Sequence, residues 1–289
     1  MIQSLINTLR LIFHTILPQN KLGDKIYSFL NFIVNHHGRF PRNRMLFNDY
    51  MYKLKISDEI TNPLRVFITD KEFAKIYIRS VIGDEFNVPT FKILETYEEV
   101  LSYKFPSECV IKPTHMSGSI IIKKEKDDVD LKKIKKWFSM NYYNRAREAN
   151  YKTLIPKIIV EPIIFNDTNI TDYRFFCYKG IPKLAEIDHD RFNNRSKSYY
   201  KLNLPDADWT KQDFFRIRLN EKNVEKPKNL DTILKLLSIL SKKFIFIRID
   251  LYCNNNSIFI GELTSICGNA SRKFYPATGE KSCSKIIFK

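Results

Sequence analysis

Two strand-like runs, Phe244-Ile245-Phe246-Ile247-Arg248-Ile249-Asp250 and Ile258-Phe259-Ile260-Gly261-Glu262-Leu263-Thr264, flank the turn-rich Asn254-Asn255-Asn256-Ser257. β-Branched and aromatic residues on both sides of an Asn/Ser cluster predict a β-hairpin. Antiparallel pairing about Asn256 sets Asp250 opposite Glu262 and Arg248 opposite Thr264. Side chains alternate along a strand, so these four share one face, while Ile245, Ile247, Ile249 and Leu251 form the other, apolar one. Apposed carboxylates repel unless a cation lies between them. An oxygen-only donor set suits Mg2+, which keeps waters and bridges to substrate phosphates. The same pattern equally suits a solvent-facing hairpin in which Arg248 neutralises one acid.

Upstream, Glu108-Cys109-Val110-Ile111-Lys112-Pro113 reads as a strand stopped by proline, and Thr114-His115-Met116-Ser117-Gly118-Ser119 leads into Ile120-Ile121-Ile122-Lys123. This second hairpin sets Lys112 before a loop whose hydroxyls and N–H groups can approach phosphate oxygens. It lacks G-x-x-x-x-G-K-[ST], and a single glycine serves an ordinary β-turn as well. A helix is expected from Thr69, as N-cap with Glu72 completing a capping box, to about Ile82, ended by Gly83. A strand over 90–94, a short helix from Tyr97, a helix over 130–150, strands over 157–161, 173–178 and 183–187 and a helix over 230–240 complete the reading. Glu161 and Asp172, at strand boundaries, are acceptors for a nucleoside or simply solvated acids.

The 289 residues allow one large domain or two of ordinary size, and 44% apolar with 28% charged residues exclude collagenous and disordered classes. The net charge of +16 favours an anionic partner: nucleotide, nucleic acid, anionic lipid or acidic glycan. Five widely spaced cysteines without C-x-x-C give neither a disulfide framework nor a zinc site, which suits a cytoplasmic location. No run approaches a membrane span, and Met1 to Gln19 is broken by Gln3, Asn7, Arg10 and His14. Its apolar residues, from Ile2 to Ile16, nevertheless recur at helical spacing. Such a helix either docks on the core or lies on the inner membrane surface with Arg10 and Lys21 at the headgroups, a peripheral attachment. Residues 1–60 read as a helical accessory segment, with Arg39, Arg42 and Arg44 around Pro41 marking a loop.

Taken in order, Asp70-Lys71, Val110-Ile111-Lys112 with its Ser/Gly loop, Val160-Glu161-Pro162-Ile163-Ile164, Asp172-Tyr173-Arg174-Phe175-Phe176, Arg248-Ile249-Asp250-Leu251-Tyr252 and Gly261-Glu262-Leu263-Thr264 resemble the TupA-like ATP-grasp family of bacterial surface-polysaccharide gene clusters. The resemblance runs from about Arg42 to Phe274. It implies an α+β, ATP-grasp fold in which ATP lies between two α+β lobes, a small lobe over about 105–165 and a metal-binding lobe over about 166–289, within a domain of residues 61–289. By the same resemblance Lys71 and Lys112 meet the ATP phosphates, His115, Ser117, Gly118 and Ser119 cover them, and Glu161, Ile163 and Ile164 form the adenine hinge. Asp172 takes the ribose, with Arg174 in the same site. Asp250, Glu262 and Thr264 become Mg2+ ligands, and Arg248, with Lys112, acts catalytically on the phosphorylated or tetrahedral species.

The implied reaction is ATP- and Mg2+-dependent ligation of an amino acid or amine to a uronic-acid carboxyl in capsule, O-antigen or teichuronic-type polysaccharide biosynthesis, through an acyl phosphate. The partners are then an acidic sugar or glycan acceptor and a small amine, with no nucleic acid. Asp188, His189, Arg191 and Asn193 form the expected acceptor segment, or a solvated charged loop. Three departures stand out: Met116 where the family tends to have glycine, Glu262-Leu263-Thr264 in place of Glu-x-Asn with Asn269 as a stand-in ligand, and 265–270 in place of a Gly-Ser-Gly stretch. Two other readings remain: a sugar kinase or glycosyltransferase using the acidic pair, and a non-enzymatic basic module for nucleic acid or membrane. The spread of basic residues along the chain counts against the module.

Overall fold

The computed structural model describes residues 16–42, 45–166, 171–189, 196–202, 209–213, 224–276 and 278–289. Its helices are α1 (Lys21–Asn35), α2 (Phe47–Ile56), α3 (Pro63–Thr69), α4 (Lys71–Ile82), α5 (Tyr97–Ser102), α6 (Leu131–Phe138), α7 (Tyr143–Ala146), α8 (Leu230–Ser241) and α9 (Gly279–Phe288). Strands β1 (Lys92–Leu94), β2 (Cys109–Pro113), β3 (Ile121–Lys123) and β4 (Ile158–Glu161) form a sheet ordered β1-β4-β2-β3. Strands β5 (Asp172–Tyr178), β6 (Ile181–His189), β7 (Ser196–Lys201), β8 (Thr210–Gln212), β9 (Phe246–Cys253) and β10 (Ile258–Thr264) form a second, ordered β10-β9-β5-β6-β7-β8.

The β9–β10 hairpin pairs as expected where it matters, with Glu262 opposite Asp250 and Thr264 opposite Arg248. The register nearer the turn is one residue different: Ile258 pairs with Cys253 and Ile260 with Leu251, and a bulge at Gly261 makes up the difference. The bulge sets which way Glu262 faces. Ile258 and Ile260 are buried in the core beneath the sheet, and so is Leu263, so the inward positions change parity between 260 and 263. Without the extra residue Glu262 would follow Ile258 and Ile260 into that core. One expectation for this hairpin fails: Ile245 lies before the first strand and is 55% exposed, whereas Ile247, Ile249 and Leu251 are buried.

One face of the large sheet is apolar and carries Phe175, Ile187, Ile247 and Ile249 against Ile233 and Leu237 of α8 and Tyr77 and Ile78 of α4. The opposite face is divided. At one end Phe176, Leu184, Tyr199 and Phe246 are covered by Phe47 and Met51 of α2 and Ile287 of α9. At the other end the same alternation presents Arg174, Glu186, Asp188, Arg248 and Asp250. The second helix of the expected accessory segment is thus built into the core of the large sheet. Residues 1–15, where the amphipathic opening was expected, lie outside the described residues. All five cysteines are free thiols.

Local sequence reading misplaced two features. The cap of α4 is Asp70, whose Oδ1 accepts the N–H groups of Glu72 and Phe73 at 2.8 and 3.3 Å. Thr69 instead ends α3, its hydroxyl donating to the Arg65 carbonyl four residues back. The helix expected over 130–150 breaks into α6 and α7, because the Asn141 side chain caps a new start at Tyr143 and Arg147 takes a left-handed conformation (φ 50°). Strands β7 and β8 and helix α9 were not anticipated.

Candidate active site

The start of α4 is tied to the loop after β2. Asp70 Oδ2 accepts the Thr114 hydroxyl at 2.7 Å, the Lys71 N–H donates to the Thr114 carbonyl at 3.1 Å, and Lys71 Nζ donates to the Met116 carbonyl at 2.5 Å. Met116 packs into the apolar core with Ile111, Ile134 and Trp137. His115 is also buried, its Nε2 lying 3.2 and 3.1 Å from the Trp137 and Met140 carbonyls, and burial lowers its pKa. The base of the loop is therefore fixed, and only its tip is accessible, with Gly118 exposed at φ 80° and open space around it.

Lys75 lies one turn beyond Lys71, and with Lys112 it grips Glu161, the last residue of β4, at 2.6 and 2.7 Å. Burial raises the Glu161 carboxyl, but Lys112 and Lys75 outweigh it and hold the pKa below the ordinary value. Burial likewise opposes the charge on Lys112, and Glu161 reverses this, leaving the ammonium above its usual range. Lys71 is lowered, mainly by burial, with Glu262 pulling the other way. Beyond Glu161, Ile163 and Ile164 are half-buried, and Phe165, at φ 58°, sets its ring 5.6 Å from Phe259.

Across from this group, β9 presents Arg248, Asp250 and Tyr252 on one face. Arg248 clasps Asp250 through two hydrogen bonds of 2.6 and 2.7 Å, donates to Thr264 Oγ1 at 3.0 Å and lies 3.9 Å from Glu262. Arg174, 7% exposed, pairs with Asp172, with Glu186 at 3.0 Å and with Asp188 at 2.9 Å, and its Nε is 3.5 Å from Asp250. Burial pushes Asp250 up to about 6 against the pull of Arg248 and Arg174, with Asp172 and Glu262 adding to the rise. Behind these, Lys197 and Arg272 close on Glu186.

The two halves face each other. Tyr252 interacts electrostatically with Lys112 and Glu161 of the small sheet as well as with Asp172 and Asp250 of its own. Glu262 acts on Lys71, on Lys112 and on Glu148. Lys112 and Asp250 therefore line one cleft. A Cβ at Gly261 would sit 2.8 Å from the Tyr252 ring.

Of the residues anticipated from sequence, Lys71, Lys112, Glu161, Arg248, Asp250, Glu262 and Thr264 come together in this cleft. Asp172, Arg174 and Asp188 form its ion-paired floor, which leaves Asp188 fully buried on Arg174 instead of on an exposed acceptor loop. His189 ends β6 opposite Ser196, while Arg191 and Asn193 lie outside the described residues. Asn269 gives its amide oxygen to Lys55 and is occupied in that contact. Three neighbours escaped sequence reading. Lys75 was signalled by its i, i+4 spacing from Lys71 and Tyr252 by alternation from Asp250. Glu148, buried and raised to about 7 chiefly by burial, carried no local signal because it sits in an irregular turn after α7.

Among the described residues no three His, Cys, Asp or Glu side chains cluster as a metal cage. Asp250 and Glu262, adjacent and oxygen-only, nonetheless fit Mg2+, which takes one or two carboxylates and completes its shell with water and phosphate oxygens.

The sequence matches the model of the TupA-like ATP-grasp family over residues 19–284, so the chain belongs to that family. The α+β ATP-grasp fold expected from the sequence holds. Similar solved structures include the D-alanine–D-alanine ligase of Helicobacter pylori, at 13% identity and TM-score 0.42 over 77% of this chain and 58% of that one. The ATP-grasp ligase PsnB matches at 12% and 0.39 over 92% and 66%, and the D-cycloserine synthetase DcsG at 13% and 0.40 over 83% and 78%. The chain spans about three fifths of the length of the Helicobacter ligase. No curated protein matches the sequence. No described helix is long and apolar enough to cross a membrane.

Proposed function

We propose that the chain is an ATP- and Mg2+-dependent carboxylate–amine ligase whose acceptor is a uronic-acid carboxyl of a bacterial surface polysaccharide, or of its precursor, and whose donor is an amino acid or small amine. The observation that carries the chemistry is the convergence of Lys71, Lys75 and Lys112 from one side on Asp250, Glu262 and Arg248 from the other. Phosphoryl transfer asks for positioning and charge neutralisation more than for a covalent side chain, and this is a site of that kind. The polysaccharide setting rests on family likeness alone.

In this reading Lys71 and Lys112 hold the phosphates as point charges, the tip Ser117–Ser119 covers them, and the stretch Glu161–Ile164 borders the adenine. Glu161 also keeps Lys75 and Lys112 charged and aimed into the cleft. Asp250, Glu262 and the Thr264 hydroxyl would hold Mg2+, which supplies neutralisation of phosphate charge. The acceptor carboxylate attacks the γ-phosphorus and ADP leaves; the amine nitrogen then attacks the acyl carbon, phosphate leaves with the C–O bond broken, and the amine loses a proton. Arg248, fixed by Asp250 and Thr264, stabilises the charge on both species. Arg174, itself paired with Asp172, supports Asp250 from the neighbouring strand. His115 fixes the loop, and any contact with the acceptor falls to the 189–195 region.

The test is ADP release in the presence of uronic acids and amino acids offered singly and together. A ligase releases ADP steadily only when both are present and yields an amide. A sugar kinase needs no amine, and a glycosyltransferase releases a nucleotide without cleaving the γ-phosphate. Lys112→Ala is expected to weaken ATP about tenfold or more while leaving adenosine within about twofold, because the ammonium acts on phosphate as a point charge. Isothermal titration of both ligands checks this, and equal losses would remove Lys112 from the phosphate site.

A further inference from the structure

Helix α1 is apolar on two sides. Its inner side packs Tyr27 and Phe32 against the protein. At 100° per residue, Leu22, Ile26, Phe29 and Ile33 fall within a narrow arc on the opposite side. None of these four is fully buried, and Leu22 is 67% exposed. Gly38, at φ 82°, donates its N–H to the Ile33 carbonyl and turns the chain back, so that the Phe40 ring lies 6.0 Å from Phe29 and stays 63% exposed. Ile16, 73% exposed, precedes the helix.

The charges sort by side. Asp24, the acid of the helix, turns inward, where its Oδ1 accepts from Tyr143 and from Arg147 at 3.0 Å. Lys21 and Lys25 lie outward beside Leu22 and Ile26, and the exposed Arg42 follows Phe40. Asp58, exposed, pairs with Lys21, and Asp49, buried, accepts from Arg39 and from the Arg42 N–H. An apolar stripe flanked by cations suits the interface of an anionic bilayer, where apolar side chains enter the acyl boundary and lysines meet headgroups. The sequence before Ile16 repeats the pattern, with apolar residues at helical spacing and Arg10 among them.

We propose that the outer face of α1, with Phe40 and Ile16, is a docking surface for anionic membrane lipid that holds the enzyme at the membrane surface. This does not rest on the ligase reading, and its test is independent of turnover. Full-length protein is sedimented alone, with vesicles of phosphatidylcholine, and with phosphatidylcholine mixed with phosphatidylglycerol. The expected result is pelleting with the mixed vesicles only, reduced by added salt. The double substitution Leu22→Glu with Ile26→Glu should lower partitioning about tenfold or more, since it removes two apolar anchors and adds repulsion. Phe40→Ser, a milder change, should lower it by a smaller factor. Circular dichroism melts of both variants should overlay the wild type, as the replaced side chains are solvent-facing. Absence of binding to the mixed vesicles, equal binding to neutral ones, or undiminished binding by both variants would overturn the proposal. So would pelleting without vesicles, which would make the face a contact between copies.

Discussion

Glu262→Gln is expected to lower turnover about a thousandfold while the thermal midpoint moves by no more than a few degrees. Its carboxylate is partly exposed on the cleft face, 3.9 Å from Arg248 and within the field of Lys71 and Lys112. Removing its charge should therefore cost the metal and phosphate chemistry more than the fold. Asp250→Asn is a different experiment. From sequence alone, neutralising either acid relieves repulsion and leaves the fold nearly intact. The bidentate Arg248 clasp reverses that for Asp250, because an amide cannot accept both guanidinium hydrogen bonds as a charged partner would, and a buried arginine loses its two shortest charged contacts, keeping Glu262 at 3.9 Å. Asp250→Asn should lose stability as well as activity. Steady-state ADP release and melting curves on both variants check the contrast. A Glu262→Gln enzyme that turns over normally would remove Glu262 from the reaction.

The second large effect is on stability. Glu186 has no exposure and receives Arg174, Lys197 and Arg272, which together hold its pKa well below the carboxylate range even though burial pushes the other way. Glu186→Gln takes from those cations the carboxylate they share. Arg174 keeps Asp172 and Asp188, and Lys197, already lowered to about 8 chiefly by burial, can shed its proton. Arg272 cannot, so the loss should be about 3 kcal/mol or more in urea unfolding near neutral pH. The sign with pH follows from linkage. A carboxyl whose folded pKa is depressed contributes fully above its unfolded value, about 4.3, and that contribution fades as pH falls toward the folded one. The gap between wild type and variant should narrow as pH falls below about 5. A gap that widens in acid would mean Glu186 is protonated in the fold.

What could be read in the sequence, and what could not, follows from the range of the interactions. Strands with a clear two-residue period and a strong turn, such as those around Asn254 and Pro113, declare themselves locally. The opposition of Asp250 to Glu262 was legible for that reason. The bulge that makes it work was only half visible, in the uneven spacing of Ile258, Ile260 and Leu263. Strand β7, Ser196-Lys197-Ser198-Tyr199-Tyr200-Lys201, reads as polar because its Lys197 and Ser198 are buried by partners far away in sequence. The choice of Asp70 over Thr69 as a cap depends on Thr114, brought up from 44 residues away. The role of Asp188 was hidden likewise, because Arg174 reaches it only once β5 and β6 have paired.

The most direct test of the ligase account follows one oxygen. With a uronic acid labelled with oxygen-18 in its carboxylate, an amine and ATP, attack of the carboxylate on the γ-phosphorus followed by aminolysis at the acyl carbon carries one labelled oxygen into phosphate for each ADP formed. Mass spectrometry of the released phosphate should therefore find singly labelled phosphate in step with amide. Amide or ADP formed with wholly unlabelled phosphate would contradict an acyl phosphate, and with it the central claim that this cleft activates a carboxylate.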